Sequence, residues 1–261
     1  MSNLKVVIMT QNDIFFIPKN IKKVSRVCDL VEIVEVDCKS SLENKISDYY
    51  KWFGVKQCVV MGLCVIKRKI QMICDRIMNY KIYGGTCSVY DISKAIKVSY
   101  RKINNSNSDS FINHIRDINP DLIVSFSAPQ ILKEELLTIP KYGIINVHGS
   151  LLPDYRGCLP SFWYLFNEEK YGGATVHYMS SKIDDGDIIV QDKIDISECK
   201  TMFSLISKTK SLGGDLMVNA IIKISNQDFV LSKNDTTKGS YYTWPTVKEA
   251  KIFAKKGYKL I

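Results

Sequence analysis

The sequence predicts an α/β fold: a Rossmann-like, mostly parallel sheet with helices on both faces, plus a small C-terminal appendage. Three observations predict it. Short apolar, β-branched runs alternate with helix-spaced segments over the first 150 residues, the pattern of parallel strands joined by helical crossovers. A length of 261 residues with 46% apolar content supplies a core for one large domain of this kind. Beyond residue 160 the alternation stops, and two strand-like stretches meet at an acidic turn before a long helix.

Taken in order, LKVVIM (4–9) reads as a buried strand and IPKNIKKVSRVCD (17–29) as the helix that follows it. LVEIVEVD (30–37) alternates as a second strand, and residues 44–80 are largely helical, with ICDRIM supplying a helix-spaced apolar face. KVSYRKI (97–103) is a third strand and SFINHIRDI (110–118) its helix. DLIVSFS (121–127), the helix QILKEELLTI (130–139) and the strand GIINVHG (143–149) complete the first part. The second part contains the helix PSFWYLFNEE (160–169), the strands ATVHYM and DIIVQDKIDI around the turn SSKIDDGD, and a helix at about 201–225. This divides the chain into a catalytic domain over 1–200 and, over 201–261, a helix with a small strand-and-helix appendage suited to dimerisation or substrate binding.

The net charge of +9 fits an anionic partner such as a nucleotide, a polyglutamate tail, nucleic acid or a lipid surface. The lysines are dispersed, and the densest basic run is only Lys67, Arg68 and Lys69, so a solvated surface is favoured over a nucleic-acid face. The longest apolar run, CVVMGLCVI (58–66), is far too short to span a bilayer. MSNLKVVIM enters a strand without a secretory cleavage site, and the eight cysteines show no C-x-x-C pair, so unpaired thiols in the cytoplasm are expected.

The chemistry concentrates in NVHGSLLPDYRG (146–157), where Asn146 and His148 stand at the carboxyl end of a strand, the usual place for ligands in parallel sheets. Singly, each residue has a plain reading: a core histidine, a turn-capping asparagine, and Asp184, Asp185 and Asp187 as a solvated turn. The acidic turn lacks the spacing and terminal Glu of an EF-hand loop, so no metal is expected. Together they fit attack of an amine on an acyl carbon. Asn146 donates to the developing oxyanion, His148 manages the amine proton, and a carboxylate holds the imidazolium. No protein nucleophile is needed, and Cys158 is read as structural.

NVHGSLLPDYRG, followed by GGATVHYM and KIDDGDIIVQ, resembles the formyltransferases that use 10-formyltetrahydrofolate, over roughly residues 97–225. The resemblance implies a catalytic trio of Asn146, His148 and Asp184. It implies a reduced-folate pocket formed by Gln130, Leu132 and Leu137 with the stretch from Met179 through Ser180 and Lys182 to Asp184. The leucines are equally readable as plain core. Glycinamide ribonucleotide formyltransferase carries a Gly-rich phosphate loop that TQNDIFFIPK (10–19) lacks, and 261 residues leave little room for the tRNA-binding domain of methionyl-tRNA formyltransferase. TQNDIFFIPK and SYYTWPTVKEAKIF (240–253) are similar to segments of the sugar N-formyltransferases, which implies a nucleotide-linked amino deoxy sugar acceptor for surface polysaccharide synthesis. Tyr155, Arg156, Trp163, Tyr242 and Trp244 are then the candidate acceptor contacts, with packing as their alternative. The resemblance implies a homodimer built through the C-terminal region, with neither membrane nor nucleic acid as partner. Formylation of glycinamide ribonucleotide or methionyl-tRNA, or a non-catalytic basic nucleic-acid-binding protein on the same core, remain the alternatives.

Overall fold

Buried strands with apolar residues on both sides need cover on both sides, and the chain supplies it. The computed structural model describes residues 4–37 and 42–261, with side chains in the second span from residue 47. Cys38 lies outside the described residues. Seven strands form one sheet in the order β3-β2-β1-β4-β5-β7-β8. These are β1 (Lys5–Thr10), β2 (Asp29–Val36), β3 (Ser99–Ile103), β4 (Leu122–Phe126), β5 (Ile144–His148), β7 (Tyr171–Tyr178) and β8 (Ile188–Asp195). The first five are mutually parallel, while β7 runs antiparallel to both β5 and β8. The strand order reverses between β1 and β4, so a crevice opens at their carboxyl ends.

The period of two along β1 assigns its side chains to opposite layers. Val6 and Ile8 join the core under α1 (Ile17–Val24), α3 (Val89–Ala95) and α7 (Met202–Asn226). Val7 and Met9 join the core under α4 (Asp109–Ile118) and α5 (Glu134–Leu137). A third cluster joins α6 (Pro160–Phe166), the start of α7 and α8 (Val247–Lys255). Phe253 of α8 stacks on Phe162 of α6 at 4.5 Å, and a Thr246/Glu249 capping box starts α8.

Some expectations need correction. Helix α5 has four residues rather than ten, because the segment after β4 finds other partners. Ser127 turns the chain with φ 57°, Gln130 bonds Ser106 N–H and Asn104 C=O, and Lys133 N–H bonds Asn107 Oδ1. Helix α3 falls where no element was expected, started by Ser88, whose Oγ accepts the Asp91 N–H. Helix α2 (Leu42–Ile77) is two helices meeting at Gly54, whose φ of 73° only glycine adopts freely. A division at residue 200 also fails. Leu216, Met217, Ala220, Ile221 and Ile224 of α7 are buried in the same core as β1, β4 and β5, so α7 is a layer of the main fold. The tail is woven in as well: β9 (Tyr241–Tyr242) pairs with β6 (Arg156–Gly157), and Thr201 bridges Lys259.

Candidate active site

Strand β5 delivers Asn146 and His148 two residues apart, on one face of the sheet, at its carboxyl end. Antiparallel pairing then sets His177 of β7 directly opposite Asn146. The loop 149–155 that follows is strapped to the sheet. Thr175 Oγ1 donates to Ser150 C=O at 2.6 Å and accepts the Leu152 N–H at 3.1 Å, while Gln191 Nε2 donates to Leu152 C=O at 2.8 Å. Gly173 is required here, because a Cβ would strike the Leu151 side chain and the Asp192 carbonyl.

The acidic turn brings Asp184 to the same place. Its Oδ2 lies 3.5 Å from His148 Nδ1 and accepts the Gly157 N–H at 3.0 Å; its Oδ1 lies 3.7 Å from His177 Nε2. Asp184 adopts a left-handed φ of 49°, a conformation aspartate tolerates better than most residues. Gly186 lets the turn close, since a Cβ there would collide with the Tyr178 backbone. Buried Asn234, from the tail, donates its amide to the carbonyls of Asp184 at 2.9 Å and Gly186 at 3.2 Å. Asp185 and Asp187 take no part in this cluster's hydrogen bonds or ion pairs among the described residues.

The hydrogen bonds also fix donor and acceptor roles. A carbonyl only accepts, so His148 Nε2–H donates to Tyr155 C=O at 2.8 Å, leaving Nδ1 to exchange a proton beside Asp184. His177 Nδ1–H donates to Tyr178 C=O at 2.8 Å. Burial, opposed by the charge of Asp184, pushes the His177 pKa down to about 4, so its ring is neutral and Nε2 is an acceptor. That acceptor takes an N–H of Asn146 Nδ2 at 3.3 Å, which orients the amide and leaves its second N–H for a ligand oxygen.

The predicted trio therefore converges. Of the predicted folate residues, Leu137 and Met179 are half-buried around one apolar cluster, whereas Leu132 is only 1% exposed and belongs to the core itself. Gln130 has both ends of its amide engaged by the 104–106 backbone, and Ser180 Oγ bonds the backbone of Lys182. Several acceptor candidates are engaged in packing. Tyr164, Tyr155, Tyr242 and Trp163 form a continuous ring stack with centroids 4.1, 5.2 and 4.6 Å apart, covering both faces of Tyr155 and Tyr242. Trp163 Nε1 also donates to Thr243 C=O. Arg156 donates to Thr236 C=O and lies over the Tyr241 ring, and Trp244 stacks on Trp52 with 43% of its surface exposed.

Three residues escaped the sequence reading. His177 lay inside a quoted motif, but only the β5–β7 register gives it a role. Asn234 carries no local signal. Lys210 of α7 places its buried amine 2.5 Å from Ser127 Oγ, just past β4; burial, opposed by Asp13, holds that amine below the usual lysine range.

A doubly wound sheet whose edge gathers an amide, two imidazoles and a carboxylate belongs to the α/β proteins that work on ligands at strand ends. The family described as "Formyl transferase" matches residues 84–221, just over half the chain, and the chain belongs to that family. It is 39% identical over 145 residues to a methionyl-tRNA formyltransferase of Caldicellulosiruptor saccharolyticus, covering 56% of this chain and 46% of that protein. It is 40% identical over 162 residues to the bifunctional polymyxin resistance protein ArnA of Wigglesworthia glossinidia brevipalpis, covering 60% and 24%. The chain thus spans less than half the length of these curated relatives. Among solved structures, an N-formyltransferase of Helicobacter canadensis bound to folinic acid and dTDP-3-aminofucose shares the fold with a TM-score of 0.61, at 17% identity, covering 92% of this chain and 71% of that one. A sugar N-formyltransferase of a Shewanella species does so at 0.57 and 19% identity, covering 97% and 87%.

Proposed function

We propose that the protein transfers a formyl group from 10-formyltetrahydrofolate to the amine of a nucleotide-linked amino deoxy sugar. The observation that carries the transfer is the convergence of Asn146, His148 and Asp184 at the end of β5, with His177 fixing the amide. The half-buried Leu137 and Met179, beside the 179–184 backbone, fit a flat pterin with a hydrogen-bonding edge. When bound, the folate supplies the formyl carbon. The acceptor amine forms the new N–C bond while the bond from the formyl carbon to the folate nitrogen breaks. Asn146 N–H stabilises negative charge on the formyl oxygen, an effect worth roughly 100- to 1,000-fold for a well-placed donor. His148 Nδ1 takes the amine proton and delivers it to the departing folate nitrogen, the imidazolium being held meanwhile between Tyr155 C=O and Asp184.

A second feature supports a nucleotide-linked acceptor. A cavity of about 340 Å³ lies at the carboxyl ends of β1, β2 and β3, lined by Arg68, Lys69, Arg76, Lys102 and Glu35 together with Tyr90 and Tyr100; Arg76 is paired with Asp91 and Lys102 with Glu35 and Asp37. The rings suit a base, and Lys69, which makes no ion pair among the described residues, is the cation best placed for its phosphates. Strand β2 stands three spacings from β5, roughly 14 Å at about 4.8 Å each, a span a diphosphate-linked sugar can bridge. Lys210 sits between the two places, past β4. Methionyl-tRNA is the second reading, favoured by the names of relatives such as the Caldicellulosiruptor protein.

The test offers the protein 10-formyltetrahydrofolate with nucleotide amino sugars, methionyl-tRNA or glycinamide ribonucleotide, following tetrahydrofolate release and product mass. The expected result is fastest turnover on a nucleotide amino sugar, with Lys210→Met raising the KM for that acceptor about tenfold and leaving the folate KM unchanged. Faster formylation of the tRNA would replace the sugar reading; release without any formylated acceptor would remove both.

A further inference from the structure

Helix α2 carries an apolar stripe on its outward side. Val59, Leu63, Ile66, Ile70, Ile73 and Ile77 follow one another at intervals of four, three, four, three and four residues. Each is 52–77% exposed, so nothing among the described residues covers them. Scattered exposed apolar residues are ordinary, but a contiguous stripe is not. Alternating intervals of three and four are the a/d seam of a coiled coil, narrower than the face a surface helix lays on its own core.

The opposite side of α2 is already occupied. Tyr49, Phe53 and Met61 pack into the cluster around α6 and α8. Arg68 Nε donates to Ile14 C=O at 2.6 Å and Nη2 to Thr86 C=O at 2.5 Å. The buried Asp75 carboxylate accepts the N–H groups of Ile82, Tyr83 and Gly85. One side therefore holds the helix to the body while the seam faces out.

We propose that this seam, rather than the C-terminal region the resemblance implies, joins a homodimer, covered by α2 of a second copy of the same chain. Area argues for it. From Val59 to Ile77 the stripe runs roughly 27 Å at about 1.5 Å per residue. With the exposed Val55 and Met78 and the stems of flanking lysines, it offers on the order of the ~800 Å² per partner that stable interfaces bury. Self-complementarity argues for it as well, because every seam position is Val, Leu or Ile and a two-fold axis sets apolar on apolar.

Charge decides the direction. With the helices side by side in register and running the same way, Gly62 meets Lys67 of the second copy and Lys69 meets its Cys74, so no like charges oppose. Arg76 is paired with Asp91 of its own chain. The antiparallel arrangement would set Lys67 and Lys69 against their own copies. An anionic membrane would also attract these lysines. However, an interfacial helix needs a polar face free to water, and here that face holds the body.

The test is sedimentation of the full chain at micromolar concentration, beside Ile66→Glu with Ile73→Glu and the milder Ile70→Thr. A dimer is expected, its Kd raised at least about 100-fold by the paired glutamates, since a buried seam does not accept unpaired charge. Ile70→Thr should raise it about fivefold or more and serves as the readout if the double variant does not fold by circular dichroism. An Ile66→Cys variant should crosslink to itself under oxidation. A wild-type monomer, or a dimer indifferent to Ile70→Thr, overturns the proposal. So does a monomer that binds phosphatidylglycerol vesicles through this stripe.

Discussion

At the β5–β7 edge, the polar side chains of the site are engaged by other groups of the chain: Asn146 by His177, His148 by Tyr155 C=O and Asp184, and Asp184 by Gly157 N–H. Toward β3, a cavity lined with cations opens at the ends of β1, β2 and β3, and along α2 an apolar seam faces outward. The family match begins at residue 84, so it contains the first edge and excludes α2. A reaction needs its groups fixed to one another, which the chain accomplishes alone. Acceptor choice and assembly need surfaces for other molecules: the seam of α2 lies outside the matched residues, and the cavity straddles their boundary, with Arg68, Lys69 and Arg76 before residue 84 and Tyr90, Tyr100 and Lys102 after it. The largest test of this contrast is substitution at the closed edge. Asn146→Ala, His148→Ala and Asp184→Ala should each lower kcat at least about 100-fold with unchanged circular dichroism. Asp185→Ala and Asp187→Ala should cost about threefold or less. Near-normal turnover of His148→Ala would break the mechanism.

The closed edge was also the legible one. Asn146 and His148 stand within one strand, and NVHGSLLP carries their local chemistry; the choice of Asp184 among the carboxylates of DDGD came from the family resemblance. His177 was not legible because its role depends on which residue faces Asn146 across the ladder, and register is a property of the pair of strands. Asn234 reaches the acidic turn through 50 residues of intervening chain, a contact that no local pattern encodes. Tyr155, Trp163 and Tyr242 stayed open between acceptor contact and packing for a related reason. Aromatic residues near a site serve equally for stacking on ligands and on each other, and only the fold shows that four rings close into one stack. The helical character of 44–80 was visible, but its seam acquires meaning only once the inner face is known to be occupied.

A smaller effect should follow from the residues that orient the trio without touching the reaction. Asn234→Ala frees the Asp184 and Gly186 carbonyls and loosens the turn, so kcat should fall about tenfold with little change in either KM. His177→Gln keeps an acceptor for Asn146 and should retain more activity than His177→Ala. Equal activity in those two variants would show that the amide needs no orienting partner.

His177 also gives the closed edge a pH signature. Its folded pKa lies near 4, below the ordinary 6.5, so the folded ring stays neutral where the unfolded one takes a proton. Stability is therefore full above pH 6.5 and declines as pH falls from about 6.5 to about 4, by at most about 1.4 kcal/mol per pH unit from this one proton. His177→Gln removes that proton and should flatten the urea-midpoint profile in this window. An unchanged profile would mean that the folded ring takes up its proton over the same pH range as the unfolded one.

The smallest expected effect lies where the two regions meet. Trp244, from the tail, stacks on Trp52 of α2 at 5.8 Å with the planes 16° apart, and keeps an exposed face. Unlike Tyr155 and Tyr242, it is not closed between rings, so it is the aromatic candidate best able to meet an acceptor. Yet the Trp52 contact alone accounts for its orientation, as an offset aromatic pair is worth about 0.5–1.5 kcal/mol beyond its buried area. If that packing is its whole role, Trp244→Ala should lower unfolding stability by about 1–2 kcal/mol and leave both KM values within about twofold. An acceptor KM raised tenfold with the folate KM unchanged would instead make the pair a platform for the acceptor. The tail would then belong with α2 to the surface that selects the substrate, and the contrast between a closed chemical edge and an open recognition edge would extend to the C-terminus.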